Sequence, residues 1–220
     1  MANLRLKEIP TWEEVQELWN GVLDRFLPGA RSLEEVANVR RSLKAQGVKV
    51  EGERFYLGLR EVVFFGLLFS TGCRVSELLS IRKKDVNFTR KVITVRQLKK
   101  RGEKEVKREV LIPPQLEEQL REYVIKEVKG EETRLFEFSR QRAWQLVKRL
   151  TGEVIGRELH PHAFRHTFAL QLLKTTKDLE KVRRILGHSN YDTLKVYLDY
   201  TIEDMKEELL SMFRGSSNSI

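Results

Sequence analysis

The sequence contains a single cysteine, Cys73, among its 220 residues. This excludes an internal disulfide framework and any metal site built from several cysteines. Long hydrophobic runs are also missing, since the longest, Val62 to Phe69, is far short of the roughly 20 residues that span a bilayer. Residues 1–5 lead into no apolar signal region. These absences predict an intracellular, cytoplasmic protein.

Acidic residues are fewer than basic residues in this sequence. The chain has 41 Lys and Arg against 32 Asp and Glu, so its net charge is 41 − 32 = +9. With 40% hydrophobic and 33% charged residues, the composition is that of a globular protein of one large domain or two small ones. The excess of positive charge indicates a polyanionic partner, and it favours nucleic acid over a membrane surface.

The positive charge is concentrated in two stretches. Residues 91–110 contain eight basic and three acidic side chains, whereas residues 1–53 contain eight and nine. Residues 139–149 add four basic side chains and no acidic one. Either stretch alone is equally well explained as a solvated face. Together they favour a surface that follows a phosphate backbone.

Hydrophobic periodicity predicts one mostly α-helical domain with a small antiparallel β-sheet, an α+β fold. A capping box at residues 11–14 opens the first helix, and an apolar segment from Phe55 to Ser70 predicts a buried central helix. A hairpin is predicted from two β-rich segments, Lys91–Arg96 and Val106–Ile112. The other predicted helices cover about 32–47, 75–81, 114–129, 139–150, 161–173, 179–186, 192–200 and a segment from 201.

Three of the four histidines surround an arginine in the second half of the chain. His162 and His166 are four residues apart, which suits zinc on a helix, but the acidic partner of a zinc protease motif is missing. Arg165 between them would repel a cation. We therefore expect no metal here, and we interpret the cluster as a site for an anion such as phosphate.

A second candidate arginine, Arg74, lies three residues before Glu77, so the two side chains face each other on a helix. Gly72 relaxes the backbone just before this pair. The pattern is typical of an arginine held rigid by a carboxylate. A simple structural ion pair would have the same spacing, and the spacing leaves both interpretations open.

Taken in order, these segments resemble the tyrosine recombinase (phage integrase) family. The resemblance rests on Thr-Gly-Cys-Arg-Val-Ser-Glu-Leu at 71–78, the basic hairpin, His-Ala-Phe-Arg-His at 162–166 and Leu-Gly-His at 186–188. Tyr197 follows nine residues beyond His188, as the family's spacing requires. The resemblance covers about Pro10 to Tyr200.

The resemblance implies a site-specific DNA recombinase or integrase that cuts and rejoins strands through a 3′-phosphotyrosyl intermediate, without metal, cofactor or ATP. Tyr197 is then the nucleophile, and Arg74 and Arg165 hold the non-bridging phosphate oxygens. His162 takes or returns a proton, and His188 donates a hydrogen bond to the phosphate. Integration, excision, movement of mobile elements and chromosome-dimer resolution would all use such a site.

The resemblance also implies roles for an orienting carboxylate and for a general acid. Glu77 resembles the acidic residue that orients the first arginine and the histidine. A hairpin lysine should protonate the departing 5′ oxygen; Lys99 is the first candidate and Lys100 the second. Tyr191 and Tyr200 are alternative nucleophiles that the spacing disfavours.

The expected organisation is one catalytic domain over residues 1–214, with 1–53 as its N-terminal helical part and 215–220 as a flexible tail. No separate N-terminal DNA-binding domain is recognisable, so the sequence is either a catalytic fragment or a minimal form. The resemblance implies double-stranded DNA as partner and a homo-oligomer, a tetramer, on that DNA, with no membrane. The C-terminal helix could dock on its own domain or on a neighbouring protomer.

Three other functions remain to be distinguished. A type IB topoisomerase-like relaxing enzyme would use the same chemistry without a partner site. A non-catalytic DNA-binding module would keep the fold alone. An RNA-binding protein is disfavoured because the sequence lacks aromatic stacking motifs.

Overall fold

The computed structural model describes residues 9–26, 29–31, 33–46, 55–97 and 106–187. They contain helices and strands in an order that confirms the predicted mostly α-helical fold with a small antiparallel sheet. The helices are α1 (Trp12–Arg25), α2 (Leu33–Ala45), α3 (Leu59–Ser70), α4 (Val75–Leu78), α5 (Glu117–Lys126), α6 (Arg140–Ile155), α7 (Pro161–Thr176) and α8 (Leu179–Leu186). The strands are β1 (Val86–Asn87), β2 (Val92–Gln97) and β3 (Val106–Leu111).

Helix α1 begins as the sequence predicts. The Thr11 hydroxyl accepts from the Glu14 backbone N–H at 3.2 Å, and the Glu14 carboxylate accepts from the Thr11 N–H at 2.8 Å. This reciprocal pair satisfies two backbone donors that a helix start leaves without partners. The capping box is therefore confirmed.

The central helix is shorter than the apolar pattern predicts. Residues 55–58 are not helical, and Leu57 forms a parallel bridge with Phe26, its N–H donating to the Arg25 carbonyl at 2.7 Å. Helix α3 therefore begins at Leu59. The prediction of a helix from Phe55 was wrong because this backbone pairing competes with helix formation there.

Helix α3 forms the centre of the hydrophobic core. Its residues from Val62 to Leu68 include no exposed side chain, and Phe64 makes edge-to-face contacts with Phe136 and Phe138 at centroid distances of 5.5 and 5.0 Å. At the end of α3, Phe69 packs on Phe164 of α7 at 4.6 Å. This contact places the start of α7 beside the end of α3, where the candidate site lies.

The sheet has the order β1-β2-β3, with both pairs antiparallel. The hairpin of β2 and β3 is confirmed, whereas the two-residue β1 was not predicted. In the register of the hairpin, Val95 lies opposite Arg108, and Ile93 lies opposite Val110. Ile93, Val95 and Val110 are buried, so Arg108 also lies on the inner face of the sheet.

The chain forms two compact units, residues 1–168 and residues 169–220. Helix α7 begins in the first unit and ends in the second. In the second unit, Asp178 caps α8 by accepting from the Lys181 N–H at 3.0 Å, and Gly187 ends that helix with a φ of 67°. The expectation of one catalytic domain over 1–214 stays a prediction. Within the described residues, no helix is both long and apolar enough to cross a membrane.

Candidate functional site

The turn between α3 and α4 presents the first candidate arginine. Gly72 has a φ of 63°, in the left-handed region that favours glycine, and this redirects the chain after α3. Arg74 then forms the N-cap of α4. Its N–H donates to Glu77 Oε2 at 2.9 Å, and its Nη1 donates to Glu77 Oε1 at 3.0 Å. The predicted pair is thus formed by both backbone and side chain of Arg74.

Glu77 is the organising carboxylate of the site. Its side chain is 2% exposed, and besides Arg74 it accepts from Arg108 Nη2 at 3.0 Å and lies 3.8 Å from Arg165 Nη1. Burial by itself raises the pKa of Glu77, but the hydrogen bond and charge of Arg108, the Arg74 N–H and the charge of Arg165 outweigh it, so the pKa lies below its ordinary 4.5. The carboxylate is therefore ionised at neutral pH.

Arg165 reaches the same place from helix α7. Its Nη1 donates to the Gly72 carbonyl at 2.6 Å, and its side chain is 1% exposed. The neighbouring Phe164 anchors this turn of α7 on Phe69. The two predicted arginines, although distant in sequence, are therefore brought together around Glu77.

Arg108 is a member of this cluster that was not predicted from the sequence. It belongs to the basic stretch of the hairpin, yet its side chain is 9% exposed and lies against Glu77 and Cys73, with Nη2 3.5 Å from Sγ. The period-two pattern was the available signal. Arg108 is two residues from the inward-facing Val110 and therefore shares its face.

Other parts of the basic stretches are also used internally. Arg96 Nη2 lies 2.6 Å from Asp85 Oδ1, and Lys91 pairs with Glu117 at 2.9 Å. The expectation that the whole hairpin stretch is a surface for phosphates was therefore wrong for Arg96 and Arg108. On helix α6 the basic character does reach the surface, at the exposed residues Arg140, Arg142 and Arg149.

Trp144 of α6 is an exposed tryptophan. It is 38% exposed, and its indole N–H donates to His160 Nδ1 at 2.8 Å. Lys148 Nζ lies 4.5 Å from the centroid of its ring. His160 lies just before α7, where its carbonyl accepts from the Ala163 N–H at 2.9 Å.

His162 and His166 lie on the first turns of α7 with their rings edge to face at 4.9 Å. His162 is exposed on one side. Desolvation by the protein on its other sides, and then the charges of Arg165 and Arg74, lower the pKa of His162 below 6.5. Burial, His162 and Arg165 lower the pKa of His166 to about 4. Both rings are therefore neutral at pH 7.

Replacing His166 by glutamine should make protein stability less sensitive to acid. The pKa of His166 is about 4 in the folded chain against 6.5 for the ordinary side chain, so the unfolded state binds more protons between these values. Stability contributed by the neutral ring is present above pH 6.5 and is lost as the pH falls toward 4. Urea denaturation of His166→Gln at pH 7 and pH 5 should show a smaller difference than in the wild type; an equal difference would contradict the assignment.

Cys73 is 1% exposed, and burial raises the pKa of its thiol above 9.0. Cys73 therefore packs as a small buried hydrophobic side chain. Within the residues that the structure describes, no group of three or more His, Cys, Asp or Glu side chains could hold a metal ion.

Several candidate residues fall outside the described ranges. These are both candidate lysines, the last histidine and all three candidate nucleophiles: Lys99, Lys100, His188, Tyr191, Tyr197 and Tyr200. The helices predicted after residue 191 lie there as well. Their roles stay predictions from the sequence.

A pair of arginines gathered on one buried carboxylate is an arrangement suited to binding a phosphate group. The sequence profile of the phage integrase family matches residues 51–203, which is more than half of the chain. The chain belongs to this family. The resemblance noted from the motifs is thereby confirmed.

The similar proteins are tyrosine recombinases. XerA of Thermococcus kodakarensis is 37% identical over 149 residues, covering 64% of this chain and 51% of that protein. XerA of Pyrococcus furiosus is 28% identical over 204 residues, covering 89% of this chain and 65% of that protein. The chain thus spans about half to two thirds of the length of these relatives.

Two solved structures share the fold. A crystal structure of XerA recombinase has a TM-score of 0.66 at 19% identity, covering 94% of this chain and 66% of that one. XerH site-specific recombinase, bound to a palindromic difH substrate after cleavage, has a TM-score of 0.65 at 19% identity, covering 93% and 53%. At such identities the likeness shows the fold alone.

Proposed function

We propose that this chain is the catalytic part of a site-specific DNA recombinase that cuts and rejoins strands through a 3′-phosphotyrosyl intermediate. The observation that carries the proposal is the convergence of Arg74 and Arg165 on the Glu77 carboxylate, at 3.0 and 3.8 Å. Family membership supports it, because the tyrosine recombinases among its relatives are named for this chemistry.

The arginines meet the main physical demand of the reaction. A phosphodiester repels an incoming oxyanion, and the transition state gathers negative charge on the non-bridging oxygens. Three arginines and one carboxylate leave the cluster with a net charge of 3 − 1 = +2. Guanidinium groups held in fixed positions supply paired donors without the cost of reorganising during the step.

In the proposed reaction, the Tyr197 oxygen attacks the scissile phosphorus and forms a P–O bond while the bond to the 5′ oxygen breaks. Lys99, or Lys100 in its place, gives its proton to that 5′ oxygen. His188 donates a hydrogen bond to the phosphate. Attack of a 5′ hydroxyl on the phosphotyrosine reverses these steps, so ligation needs no ATP.

The tyrosine must lose a proton although its ordinary pKa is about 10. His162 suits this task because its lowered pKa keeps the ring neutral at pH 7, ready to accept a proton. Glu77 takes no proton in this scheme. In its ionised form it orients Arg74 by accepting hydrogen bonds, and it attracts the Arg165 guanidinium, 3.8 Å away, by its charge.

The two arginines differ in their access to DNA. The Arg74 side chain is 39% exposed, whereas that of Arg165 is 1% exposed. Arg74 is therefore accessible to a phosphate from solvent, and Arg165 requires the surrounding protein to open. We propose that binding of DNA provides this opening and so links cleavage to a correctly bound site.

The proposed partner is double-stranded DNA, bound through the exposed arginines of α6 and the net charge of +9. DNA complexes of XerH support this partner. We further propose, from the family resemblance, a homo-oligomer, a tetramer, on the DNA and a catalytic domain extending over residues 1–214. Affinity should fall steeply with salt because phosphate contacts release counterions.

Tyr197→Phe should abolish covalent attachment to DNA while leaving DNA binding intact, because it removes only the attacking oxygen. The test uses a pool of nicked duplexes with random sequence around the nick, followed by denaturing electrophoresis and sequencing of the captured strands. Peptide mapping of the wild-type adduct should place the nucleotide on Tyr197.

Three results would contradict the proposal. No adduct from the wild type would favour a non-catalytic DNA-binding module. An adduct retained in Tyr197→Phe would move the nucleophile to Tyr191 or Tyr200. Relaxation of any supercoiled plasmid, without preference for the captured sequence, would favour a topoisomerase-like activity.

A further inference from the structure

The third arginine of the cluster has a different position from the other two. Arg108 Nη2 donates to Glu77 Oε2 at 3.0 Å, as short as the contact of Arg74 on Oε1. Its side chain is 9% exposed against 39% for Arg74, and it comes from the inner face of β3. Arg108 therefore contacts the carboxylate from the protein interior.

The hydrogen bonds on Glu77 are divided between its two oxygens. Oε1 accepts from Arg74 Nη1, whereas Oε2 accepts from the Arg74 N–H and from Arg108 Nη2 and lies 3.8 Å from Arg165. Because Arg108 holds Oε2 from the protein interior, the carboxylate cannot rotate without breaking its contacts to both Arg74 and Arg165. A buried carboxylate without such a partner would tend to take up a proton.

We propose that Arg108 is a positioning residue: it fixes the Glu77 carboxylate, through which it holds Arg74 and Arg165 in place for the phosphate, without touching DNA itself. This inference rests on the proposed function of the site. Arg108 also belongs to β3, the strand that follows residues 98–105 in the sequence, and both candidate lysines are among those residues. The contact of Arg108 with Glu77 thus links strand β3 to the two arginines that Glu77 holds.

Several charged or titratable groups act on Glu77, and the proposal depends on their balance. They come from the turn before α4, from β3 and from α7: Arg74, Cys73, Arg108, Arg165 and His162. Of these influences, the hydrogen bond of Arg108 is the strongest that opposes the effect of burial on the pKa of Glu77. Removing Arg108 should therefore raise that pKa even though Arg74 and Arg165 remain.

The test compares Arg108→Met and Arg108→Lys with a matched control, Arg60→Met. Arg60 also pairs with a fully buried carboxylate, Glu61, at 2.8 Å, but on α3 away from the cluster. Single-turnover adduct formation is measured on saturating nicked duplex recovered from the pool. We expect Arg108→Met to lower the rate about 10–100-fold at pH 7, as misplacement of catalytic groups does, and Arg60→Met to leave it unchanged.

The pH profile separates positioning from general loss of structure. In Arg108→Met, the acid limb of the rate profile should move to higher pH, because Glu77 is protonated more readily. Arg108→Lys keeps a positive charge and should return the limb toward its wild-type position. A wild-type profile in Arg108→Met, with a rate like that of Arg60→Met, would overturn the proposal.

A second readout is independent of cleavage. Carbon-13 NMR of labelled glutamate carboxylates, with Glu77→Gln identifying the resonance, should show a raised Glu77 pKa in Arg108→Met but not in Arg60→Met. An unchanged pKa would overturn the inference. If the wild type forms no adduct, the proposed function fails, and the NMR titration still decides whether Arg108 holds the carboxylate.

Discussion

Replacing Arg165 by lysine should lower the rate of covalent adduct formation about 10²–10³-fold, the effect of losing one fixed donor to the transition state. The arginine already uses Nη1 for the Gly72 carbonyl at 2.6 Å and lies 3.8 Å from Glu77. Lysine offers a single ammonium on a flexible stem, so it cannot keep these contacts and also present paired donors to a phosphate.

Single-turnover kinetics at saturating DNA measure this effect, and Arg60→Lys is the matched control on a buried carboxylate outside the site. Arg74→Lys provides a further comparison. The Arg74 side chain is 39% exposed, against 1% for that of Arg165. Arg74→Lys should therefore slow cleavage with a smaller loss of stability than Arg165→Lys causes. If Arg165→Lys cleaved at the wild-type rate, Arg165 would have a structural role only.

Local spacing was sufficient to predict part of this site. Arg74 and Glu77 are three residues apart, and a helix turn alone brings such residues together. The capping box at Thr11 and Glu14 was predictable for the same reason. In these cases the interacting groups lie within one turn, so no tertiary information is needed.

Predicting the place of Arg165 in the site required more than sequence spacing. Its position beside Gly72 depends on the packing of Phe164 on Phe69, which joins two helices that are distant in sequence. Nothing in the composition of α7 indicates which arginine of the chain should be its neighbour. The family resemblance supplied that pairing, and the fold then brought the residues together.

Arg108 was missed because its charge concealed its orientation. A basic residue in a basic hairpin is ordinarily exposed. Its spacing of two residues from Val110 was the signal for an inward orientation, and the strand register, with Val95 opposite Arg108, confirms that orientation. The predicted central helix began four residues too early, at Phe55, for a related reason. Residues 55–58 are largely apolar like α3, but Leu57 forms a backbone bridge with Phe26 at the end of α1, a contact that periodicity cannot detect.

Replacing Glu77 by glutamine should cause the largest loss of stability among these changes, about 3–5 kcal/mol in the free energy of unfolding, because removing one partner of a buried ion pair leaves the others uncompensated. Three guanidinium groups would then face each other around a neutral amide. Glu132→Gln is the control: that carboxylate also binds two cations, Arg82 and Lys84, but it is 63% exposed and should matter little.

The effect of Glu77→Gln should also depend on pH. Because the pKa of Glu77 is below 4.5 in the folded chain, its charge stabilises the protein above the unfolded value, and this stabilisation is lost as the pH falls through the folded value. Urea denaturation should therefore show a wide gap between wild type and Glu77→Gln at pH 7 that narrows in acid below 4.5. A gap independent of pH would mean that shape, and not the charge shared among the arginines, makes Glu77 necessary.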